Sequence, residues 1–556
     1  MRNYNICVKA ALAVFTGLLS ACSSDNDIAE KEPVSPEKPI VSQTMTFHAS
    51  MDAESSTRTT FSDDEGNTNT VWSDGDAIHV LNTADVQGQS AYSSDEGVFS
   101  IPSGGGGGKA ADFTGGPMWI NGEDNDQFYA FYPSNVTTST TDGVKMSASV
   151  PTVQTAIKDS YDQSLHFMTA YSTNTTFAFK NVCALLKITL NGNSTDNTNP
   201  VCRVKVVANP GIVVSRTVAW LGVTQTYDYD QSFTYTSIAG NFEASVNNDG
   251  TASGTASVTP KEEKKTYVEL RASGDDGTAK TSLGNGTFYM VVLPAALSKD
   301  DVIYGFTILL EKKDGTIYQR VNTKQKAFER NKMYDLGSYD CSSTPTGMTS
   351  LGKDVVDLDL PSGTLWCKYN IKKDGSFESS ETGFTDFFSW GYDHVVMTGS
   401  YSSFFEDDPA TNFSLYSQYD LAYQKDNRYC MPIYAQMYEM YNHTNKVIEK
   451  ETHTTLGFTI TDAAWAKFTA ATGTGRCIKI PYAGYYYNGR HKAETEEGRY
   501  WSRTKASNVE NYAGNAFCMD LINDNVSING DWVDDANAGR TIRPVATNIK
   551  IAPIFE

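Results

Sequence analysis

Apolar and polar residues alternate in short segments over most of the chain before residue 340. Residues 44–49 read TMTFHA, with an apolar side chain at every second position, and compact apolar runs recur at residues 128–132, 184–190 and 288–294. Because the side chains of a strand point alternately to its two faces, a period of two indicates half-buried strands. Clusters of Asp, Gly, Ser and Asn separate the segments, and this spacing is typical of β-sandwiches. The pattern therefore predicts a mainly β protein.

The last third of the chain has a different pattern. Aromatic residues become dense there, and two stretches acquire the three-to-four-residue period of a helix. One follows Pro432 as far as Tyr441, and the other covers residues 461–470, where Trp465 and Phe468 would share one face. Both stretches predict helices, so this part is expected to be a mixed α+β domain.

The length and these patterns together divide the chain into domains. A chain of 556 residues is too long for a single hydrophobic core and favours roughly three domains. Residues 23–43 are rich in Glu, Pro, Lys and Ser and lack apolar periodicity, which is typical of a disordered tether. The expected division is a signal peptide at 1–21, a tether at 22–43, β-sandwiches at 44–172 and 173–340, a linker at 341–347, an α+β domain at 348–546 and a tail at 547–556.

The first residues contain an export signal. Arg2 and Lys9 flank an apolar run that ends on Ala21 and Cys22, and a short apolar segment that closes on small residues is a secretory signal rather than a membrane span. Because a cysteine stands at the cleavage point, the segment resembles a bacterial lipoprotein signal, and the acidic residues at 25–27 resemble the surface-export signals of Bacteroidota lipoproteins. The resemblance implies a lipid on Cys22 and a surface-exposed lipoprotein of the cell outer membrane. The alternative is an ordinary signal peptide in which Cys22 is incidental.

Composition excludes several classes of function. The formal net charge of −21 argues against nucleic acid as a partner, because a polyanion needs clustered Lys and Arg. No later apolar run is long enough to span a membrane. The seven histidines form no His-x-x-x-His, His-x-His or His-Glu-x-x-His spacing, which argues against a metalloenzyme. Because the other catalytic motifs considered below also fail, we assign no cofactor and expect no enzyme. The glycines at 104–108 precede Lys109 but lack the other residues of a phosphate loop, and they indicate a loop between strands.

The cysteines after Cys22 are expected to be buried free thiols. None belongs to a Cys-x-x-Cys pair, and several lie in apolar, strand-like runs, which argues against a zinc or redox site. An oxidase with a paired-cysteine copper site would have only Cys430 and Cys477 as candidates, and both lie in apolar runs. The seven are Cys183, Cys202, Cys341, Cys367, Cys430, Cys477 and Cys518.

Four motifs in the first 340 residues resemble the fimbrillin superfamily, the pilin-like lipoproteins of Bacteroidota. Each motif is weak alone, and the resemblance depends on their order behind a lipoprotein signal. It implies that the two β domains are transthyretin-like β-sandwiches. The motifs are Thr57-Arg58-Thr59, residues 71–78 (VWSDGDAI), residues 129–133 (YAFYP) and residues 328–334 (FERNKMY).

The same resemblance implies a route of assembly. In this family an arginine-specific protease cuts after the first strand, that strand leaves, and a strand of a neighbouring subunit fills the groove. In this chain the groove would open on loss of residues 44–50, and Arg58 is the predicted cleavage position. An incoming strand satisfies the unpaired backbone groups and the apolar slot of an opened sandwich. The alternative is that Arg58 is a solvated turn residue in an uncleaved lipoprotein.

Six further motifs resemble the C-type-lectin-like modules of secreted Bacteroidota proteins, of the kind called major paralogous domains. They occur in one order over the last part of the chain, and the resemblance implies a C-type-lectin-like α+β domain that acts as a binding head. The motifs are residues 356–366 (VDLDLPSGTLW), 388–391 (FSWG), 428–432 (RYCMP), 480–484 (IPYAG), 498–502 (GRYWS) and 539–545 (GRTIRPV).

Aromatic residues near the end of this domain predict a ligand-binding surface. Tyr486 and Trp532 offer rings on which sugars stack, and Asn488 and Arg490 would bond to hydroxyl groups. The expected ligand is a glycan or a protein on a host or bacterial surface. The triplets through which lectins bind sugar with calcium are absent, so we assign no metal, although the acidic residues at 531–535 offer oxygen ligands that suit calcium.

The resemblances together predict a fimbrial (pilus) subunit for cell-surface adhesion, with other fimbrillin subunits as partners through strand addition. We expect a tip position, because the residues after Val545 include Pro553 and offer little length for a donated strand. Two alternatives stay open. One is a permanently lipid-anchored glycan-binding lipoprotein, and the other is a basal pilus anchor.

Overall fold

The structure is a computed structural model of the chain. It describes residues 41–51, 60–64, 67–83, 97–120, 126–140, 143–194, 197–220, 223–246, 256–262, 264–299, 302–389, 420–455, 458–487, 490–492, 496–505, 515–522, 525–535, 539–546 and 553–555.

Strands dominate these residues, so the prediction of a mainly β protein is confirmed. The strands before residue 182 are β1 (Val41–Met51), β2 (Thr60–Asp64), β3 (Asn67–Val71), β4 (Ala77–Asn82), β5 (Val98–Ser100), β6 (Ala110–Ile120), β7 (Phe128–Tyr132), β8 (Thr137–Ser139), β9 (Lys145–Val150), β10 (Val153–Thr155), β11 (Met168–Ser172) and β12 (Thr176–Asn181), with a 3₁₀ turn at Gln163–Leu165. Those up to residue 352 are β13 (Ala184–Asn191), β14 (Val201–Ala208), β15 (Gly211–Trp220), β16 (Val223–Thr234), β17 (Gly240–Val246), β18 (Ala256–Pro260), β19 (Tyr267–Arg271), β20 (Gly286–Val292), β21 (Ala295–Ala296), β22 (Ser298–Lys299), β23 (Val302–Ile303), β24 (Phe306–Lys312), β25 (Ile317–Asn322), β26 (Ala327–Phe328), β27 (Met333–Asp340) and β28 (Thr349–Gly352).

The remaining elements include two helices. They are β29 (Val355–Asp357), β30 (Leu365–Cys367), α1 (Leu421–Lys425), β31 (Tyr429–Cys430), α2 (Tyr434–His443), β32 (Thr444–Thr455), β33 (Phe458–Ala470), β34 (Cys477–Pro481), β35 (Tyr485–Tyr487), β36 (Arg490–Lys492), β37 (Glu497–Lys505), β38 (Asn515–Ile522), β39 (Asn525–Asp535), β40 (Val545–Ala546) and β41 (Pro553–Phe555).

Seven strands close into a barrel, which we call the first barrel, in the order β1-β12-β11-β7-β4-β5-β6. Strand β1 closes it, because it pairs in parallel with β12 and antiparallel with β6. The interior is rich in aromatic side chains, and Phe47, Trp72, Phe113 and Phe177 are fully buried there. Because the aromatic side chains are large, a few short strands bury enough apolar surface to form a core.

A second β unit follows and contains three sheets around one hydrophobic core. The largest sheet has the order β10-β19-β14-β24-β25-β28, and the smaller ones are β20-β13-β27 and β18-β17-β9-β8. Leu186, Val204 and Phe242 come from the three different sheets and belong to the same core. The sheets are therefore packed face to face by their apolar sides.

The C-terminal unit contains the sheets β29-β30-β40-β31, β32-β33-β34 and β37-β38-β39 and the hairpin β35-β36. Helix α2 packs Met437 and Met440 into the core of this unit, against Phe468 and Tyr500. The Ile433 amide at the start of α2 donates to Gln436 Oε1 at 3.0 Å, so one of the free amides of the helix end is satisfied. The prediction of a helix after Pro432 is confirmed.

The predicted helix at residues 461–470 is wrong, because these residues lie in β33. Ala466, Phe468 and Ala470 are buried at every second position, and Trp465 faces away from them and donates to Glu449 Oε2 at 2.5 Å. Trp465 and Phe468 therefore lie on opposite faces. Pairing with β32 and β34 satisfies the backbone of this segment from both sides, and this tertiary context outweighs the local pattern.

Several strands join a different unit from the one that the predicted domain boundaries would give them. Strand β12 belongs to the first barrel although it follows residue 172, while β8, β9 and β10 precede that residue and pair within the second β unit. Strand β28, predicted in the last domain, extends the largest sheet of the second unit by pairing with β25. Cys341, in the predicted linker, is buried in the core of the second unit. The chain thus crosses between units more than once, and short alternating segments do not show which sheet each strand joins.

Candidate functional site

Strand β1 has two chemically different faces. Met45, Phe47, Ala49 and Met51 point into the first barrel and are buried, whereas Thr44, Thr46 and His48 are exposed. The alternation follows directly from the sequence, because apolar and polar residues take turns along an extended backbone. The prediction of a first strand at residues 44–50 is confirmed.

The backbone of β1 is paired on both sides. His48 to Met51 pair in parallel with Thr176 to Phe179, and Val41 to Ser50 pair antiparallel with Ile120 to Ala110. The antiparallel register shifts between Thr44 and Thr46, and the residues of β6 opposite this shift are Gly115 and Gly116. At Gly115 an added Cβ would lie 2.5 Å from the Val98 carbonyl oxygen, so only glycine fits there.

Phe47 anchors β1 in the barrel. Its ring centroid lies 4.8 Å from that of Phe99, 5.3 Å from that of Phe128 and 5.1 Å from that of Phe177, on which it stacks. These distances are typical of favourable aromatic pairs. Removal of β1 would therefore leave an apolar slot among three rings and two unpaired strand edges, on β6 and β12.

The motif at residues 71–78 builds the turn beside this slot. Asp74 accepts from the Gly104 amide at 2.8 Å and the Gly106 amide at 2.7 Å, and these hydrogen bonds lower the pKa of its carboxyl group. The glycine run at 104–108 is thus a loop between β5 and β6 that binds a carboxylate of its own chain. Trp72, from the same motif, lies 4.9 Å from Phe113 and 5.6 Å from Phe179 between ring centroids.

Cys22, Arg58 and Asn488 lie outside the described residues. Arg58 falls within the segment that joins the end of β1 at Met51 to the start of β2 at Thr60. The predicted lipidation and cleavage positions stay predictions.

The structure brings two of the predicted ligand-binding residues together. Tyr486 and Arg490 lie on the hairpin β35-β36, where Arg490 pairs with Tyr487, and Arg490 is exposed while Tyr486 is half-buried. The Tyr486 amide donates to the Gly539 carbonyl oxygen at 2.7 Å. Trp532 lies on β39, in a different sheet, and its side chain is outside the described structure. A ligand surface at these residues stays a prediction.

The cysteines of the described chain are free thiols, and six of the seven are buried while Cys477 is half-buried. Burial raises the pKa of the Cys430 thiol to about 12, so it is protonated and a poor metal ligand or nucleophile at neutral pH. Within the described ranges, no group of three or more His, Cys, Asp or Glu side chains is arranged to hold a metal ion.

A buried ion-pair cluster joins the second β unit to the C-terminal unit. Lys205 Nζ, on β14, lies 2.9 Å from Asp357 Oδ2 and 2.9 Å from Asp359 Oδ1. Arg203, on the same face of β14, places Nη1 2.8 Å from Asp357 Oδ2. Burial alone would raise the pKa of the Asp357 carboxyl, but Lys205 and Arg203 hold it well below its usual range. The carboxylates are therefore charged, and they are compensated by cations of the other unit.

Further charges surround this cluster. Arg203 also contacts Glu269 at 2.9 Å and Glu311 at 2.7 Å, and Arg476 of the C-terminal unit contacts Asp359 at 3.2 Å. Gly363 lies so close to Val207 that an added Cβ would be 2.8 Å from its Cγ1. Buried charges with several partners fix one geometry, so the C-terminal unit is held in one orientation on the second β unit.

Sequence reasoning assigned the VDLDLPSGTLW motif to a binding module and did not predict this joint. The sequence does contain an indication of buried ion pairs. Asp357 and Asp359 alternate with apolar residues in a strand-like run, and Arg203 and Lys205 alternate with apolar residues in VCRVKVV. An ionised side chain inside an apolar run needs a buried partner of opposite charge. Sequence alone could not pair the two segments, which are more than a hundred residues apart.

Comparisons with known proteins identify structures of low similarity. No family model matches the chain, and no curated protein matches it. A proposed cell adhesion protein from Bacteroides uniformis is 17% identical, with 56% of this chain and 99% of that chain covered and a TM-score of 0.31. A fimbrial protein from Bacteroides ovatus is 12% identical, with 90% and 98% covered and a TM-score of 0.22. The tip fimbrial protein Mfa3 from Porphyromonas gingivalis, truncated at its C-terminus, is 9% identical, with 56% and 98% covered and a TM-score of 0.25.

At these scores the similarity identifies no shared site, and contacts within this chain carry the functional assignment. No helix in the described residues is both long and apolar enough to cross a membrane.

Proposed function

We propose that this chain is a fimbrial subunit that acts in cell-surface adhesion, is not an enzyme, and assembles by exchanging its first strand. The observation that carries the proposal is the position of β1. It closes the first barrel and inserts Phe47 among three rings, yet it is the first strand of the described residues and precedes a segment that contains Arg58.

Cleavage after Arg58 would turn β1 from part of the chain into a bound peptide. Arg58 is the sole arginine between Arg2 and Arg203, so an arginine-specific protease would make a single cut in this region. The peptide would then be held only by noncovalent contacts, and a strand of another subunit with the same alternation would compete for the slot. Exchange exposes no apolar surface if the incoming strand enters as β1 leaves.

The same cut would detach the lipid. Cys22 and β1 lie on the same side of Arg58, so a lipid on Cys22 would leave with the first strand. The lipid would then be a temporary tether of the outer membrane, and the mature subunit would belong to the fimbrium.

We assign the subunit to the tip of the pilus. Strand β41 pairs in parallel with β15, with Ile212 opposite Pro553 and Val214 opposite Phe555. A segment that is already paired with its own chain must unpair before a neighbour can receive it. The C-terminal unit, held on the second β unit by the Lys205 cluster, would be the lectin-like head that contacts a glycan or a surface protein, with Tyr486, Asn488, Arg490 and Trp532 as first candidates for its contacts.

Two measurements test the exchange. Mass spectrometry of surface protein from cells that express the full chain should find a mature N-terminus at Thr59, and Arg58→Lys, which keeps the charge but is not an arginine site, should retain lipidated Cys22. In vitro, the full chain cut after Arg58 should exchange its first strand for a labelled peptide of residues 41–51. The same peptide with Phe47→Asp is the matched control and should not enter.

Either of two results would contradict the proposal. One is surface protein that keeps Cys22 while pili assemble normally in the Arg58→Lys variant. The other is a cut barrel that keeps its strand and excludes the labelled peptide. Lipid retained at Cys22 together with glycan binding would favour the permanently anchored glycan-binding lipoprotein, and lipid retained at the base of the shaft would favour the pilus anchor.

A further inference from the structure

A large cleft lies between the second β unit and helix α2. Its volume is about 1130 Å³, and it is lined by the end of β16 and residues after it, by residues around the end of β18, and by one side of α2. Pockets that hold small ligands commonly enclose about 300 to 1,000 Å³ and often lie at contacts between domains. This cleft is therefore large enough for several sugar rings.

One face of α2 is turned toward the cleft. The residues on this face recur at the three- and four-residue spacing of a helix, while the opposite face carries Met437 and Met440 into the core. Tyr438 is 48% exposed although the core of the unit is close by. The residues on the cleft side are Ala435, Tyr438, Glu439, Asn442 and His443.

Aromatic rings line both walls of the cleft. The Tyr438 ring stacks on Tyr434 at 5.9 Å with an angle of 22° between the planes, which fixes the exposed ring in place. On the opposite wall Phe233 and Tyr235 lie 5.9 Å apart between centroids. An exposed, fixed aromatic face such as that of Tyr438 is the feature on which the apolar side of a sugar ring stacks.

Lys264 places a positive charge at one end of the cleft. Its Nζ lies 3.5 Å from His443 Nε2 and 5.7 Å from the centre of the Tyr235 ring. Burial, and then Lys264, lowers the pKa of His443, so the imidazole is neutral at neutral pH. In the part of the chain that the structure describes, no carboxylate lies within ion-pair distance of Lys264.

The other charged groups of the cleft are engaged. Lys261 pairs with Glu243 at 2.7 Å, and Glu262 accepts from Asn241 at 2.7 Å. Glu439 is buried and accepts from the Ser362 amide at 2.7 Å and from the Tyr235 hydroxyl at 2.9 Å. Glu262 keeps its negative charge, because an amide donor does not neutralise a carboxylate, and Lys264 acts on Glu439 from beyond ion-pair distance. Of the two lysines that line the cleft, Lys264 is the one without an ion-pair partner in the described residues, and its ammonium suits a carboxylate.

We propose that this cleft binds an acidic oligosaccharide, whose carboxylate pairs with Lys264 and whose sugar ring stacks on Tyr438. Asn442, exposed on the same face of α2, would bond to sugar hydroxyls. The site is independent of strand exchange, because none of its residues belongs to the first barrel. It is also separate from the hairpin β35-β36, which carries Tyr486 and Arg490.

Calorimetric titration of the full chain with trigalacturonic acid tests the proposal, with maltotriose as the neutral probe of equal length. Wild type should bind the acid and not the neutral sugar. Lys264→Gln should weaken binding about tenfold or more, the loss expected for a hydrogen bond to a charged group. Tyr438→Ala should also weaken it, while Tyr438→Phe keeps the ring and should retain most of it.

Matched controls separate the cleft from general charge effects and from the predicted surface elsewhere. Lys265→Gln removes the same charge one residue away and should leave binding unchanged. The double variant Tyr486→Ala, Arg490→Gln tests whether any binding that is measured occurs at the hairpin β35-β36 instead of the cleft. The proposal is overturned if wild type does not bind trigalacturonic acid, if Lys264→Gln and Lys265→Gln lose affinity equally, or if only the variants at Tyr486 and Arg490 lose it. If triglutamate competes for the cleft as strongly as trigalacturonic acid, the cleft recognises negative charge and not a sugar. That result would refute the assignment of an oligosaccharide ligand.

Discussion

The alanine substitution of Phe47 measures how strongly β1 is held in the first barrel. The side chain is fully buried and contacts three phenylalanine rings. Burying a large aromatic side chain removes roughly 150 to 250 Å² from water, and measured Phe→Ala substitutions in cores cost about 3 to 5 kcal/mol. We expect a loss near the middle of that range, about 4 kcal/mol, in the free energy of opening the barrel.

Hydrogen exchange followed by mass spectrometry localises the effect. A loss of about 4 kcal/mol corresponds to roughly a thousandfold faster exchange through opening, and it should appear in peptides from β1, β6 and β12. Peptides from β14 in the second β unit should be unchanged. Its core includes outward-facing residues of β4, β7 and β11, but the buried apolar residues of β1, β6 and β12 in the described structure belong to the barrel interior instead. The control is Thr46→Ala, which alters the exposed face of the same strand and should change exchange by less than the equivalent of about 0.5 kcal/mol.

Equal behaviour of the two variants would refute the reasoning. If Phe47→Ala exchanges like Thr46→Ala, the inward face of β1 does not hold the strand, and an incoming strand would gain nothing by filling the slot. If β14 peptides accelerate as much as β1 peptides, the loss is global and the barrel does not open on its own.

Three further predictions concern a close contact, the joint between units and a buried acid. Gly115→Ala should destabilise the barrel by about 1 to 3 kcal/mol through overpacking, measured by thermal unfolding. The control is Gly116→Ala, which should be tolerated because an added Cβ at Gly116 meets nothing within 4 Å. Lys205→Met removes the buried cation that contacts both Asp357 and Asp359 and should cost about 3 to 5 kcal/mol, measured by urea unfolding. Lys261→Met removes an exposed pair and should cost less than about 1 kcal/mol. Burial raises the pKa of Glu439 from 4.5 to about 7, so the folded state binds its proton more tightly than the unfolded state. The contribution of Glu439 to the free energy of unfolding should therefore fall by about 3 kcal/mol as pH rises from 4.5 to 7. It is measured as the difference in pH dependence between wild type and Glu439→Gln, and equal slopes in the two proteins would contradict the assignment.

Much of the fold could be predicted because its local patterns agree with its tertiary contacts. The alternation in β1 and the helical spacing after Pro432 each describe one element that buries one face. The segment at 461–470 failed because Trp465 and Phe468 also fit a helical spacing, and only pairing with β32 and β34 decides for a strand.

The candidate sites also differ in how far the sequence alone predicts them. The inward face of β1 could be predicted because its residues lie together in sequence, whereas the pairing of β35 with β36, which brings Tyr486 and Arg490 together, was not predicted. The ion-pair cluster at Lys205 and the cleft at Lys264 could not, because each combines segments of the second β unit with residues of the C-terminal unit.

The sequence by itself determined the class of structure, the inward face of β1 and the need of its buried charges for partners, because periodicity and desolvation act on each segment separately. Only the tertiary structure decided which strands share a sheet, which cation meets Asp357, and that the polar side of α2 faces a cleft. These are contacts between segments distant in the chain, and they depend on the packing of whole sheets against one another rather than on any local pattern.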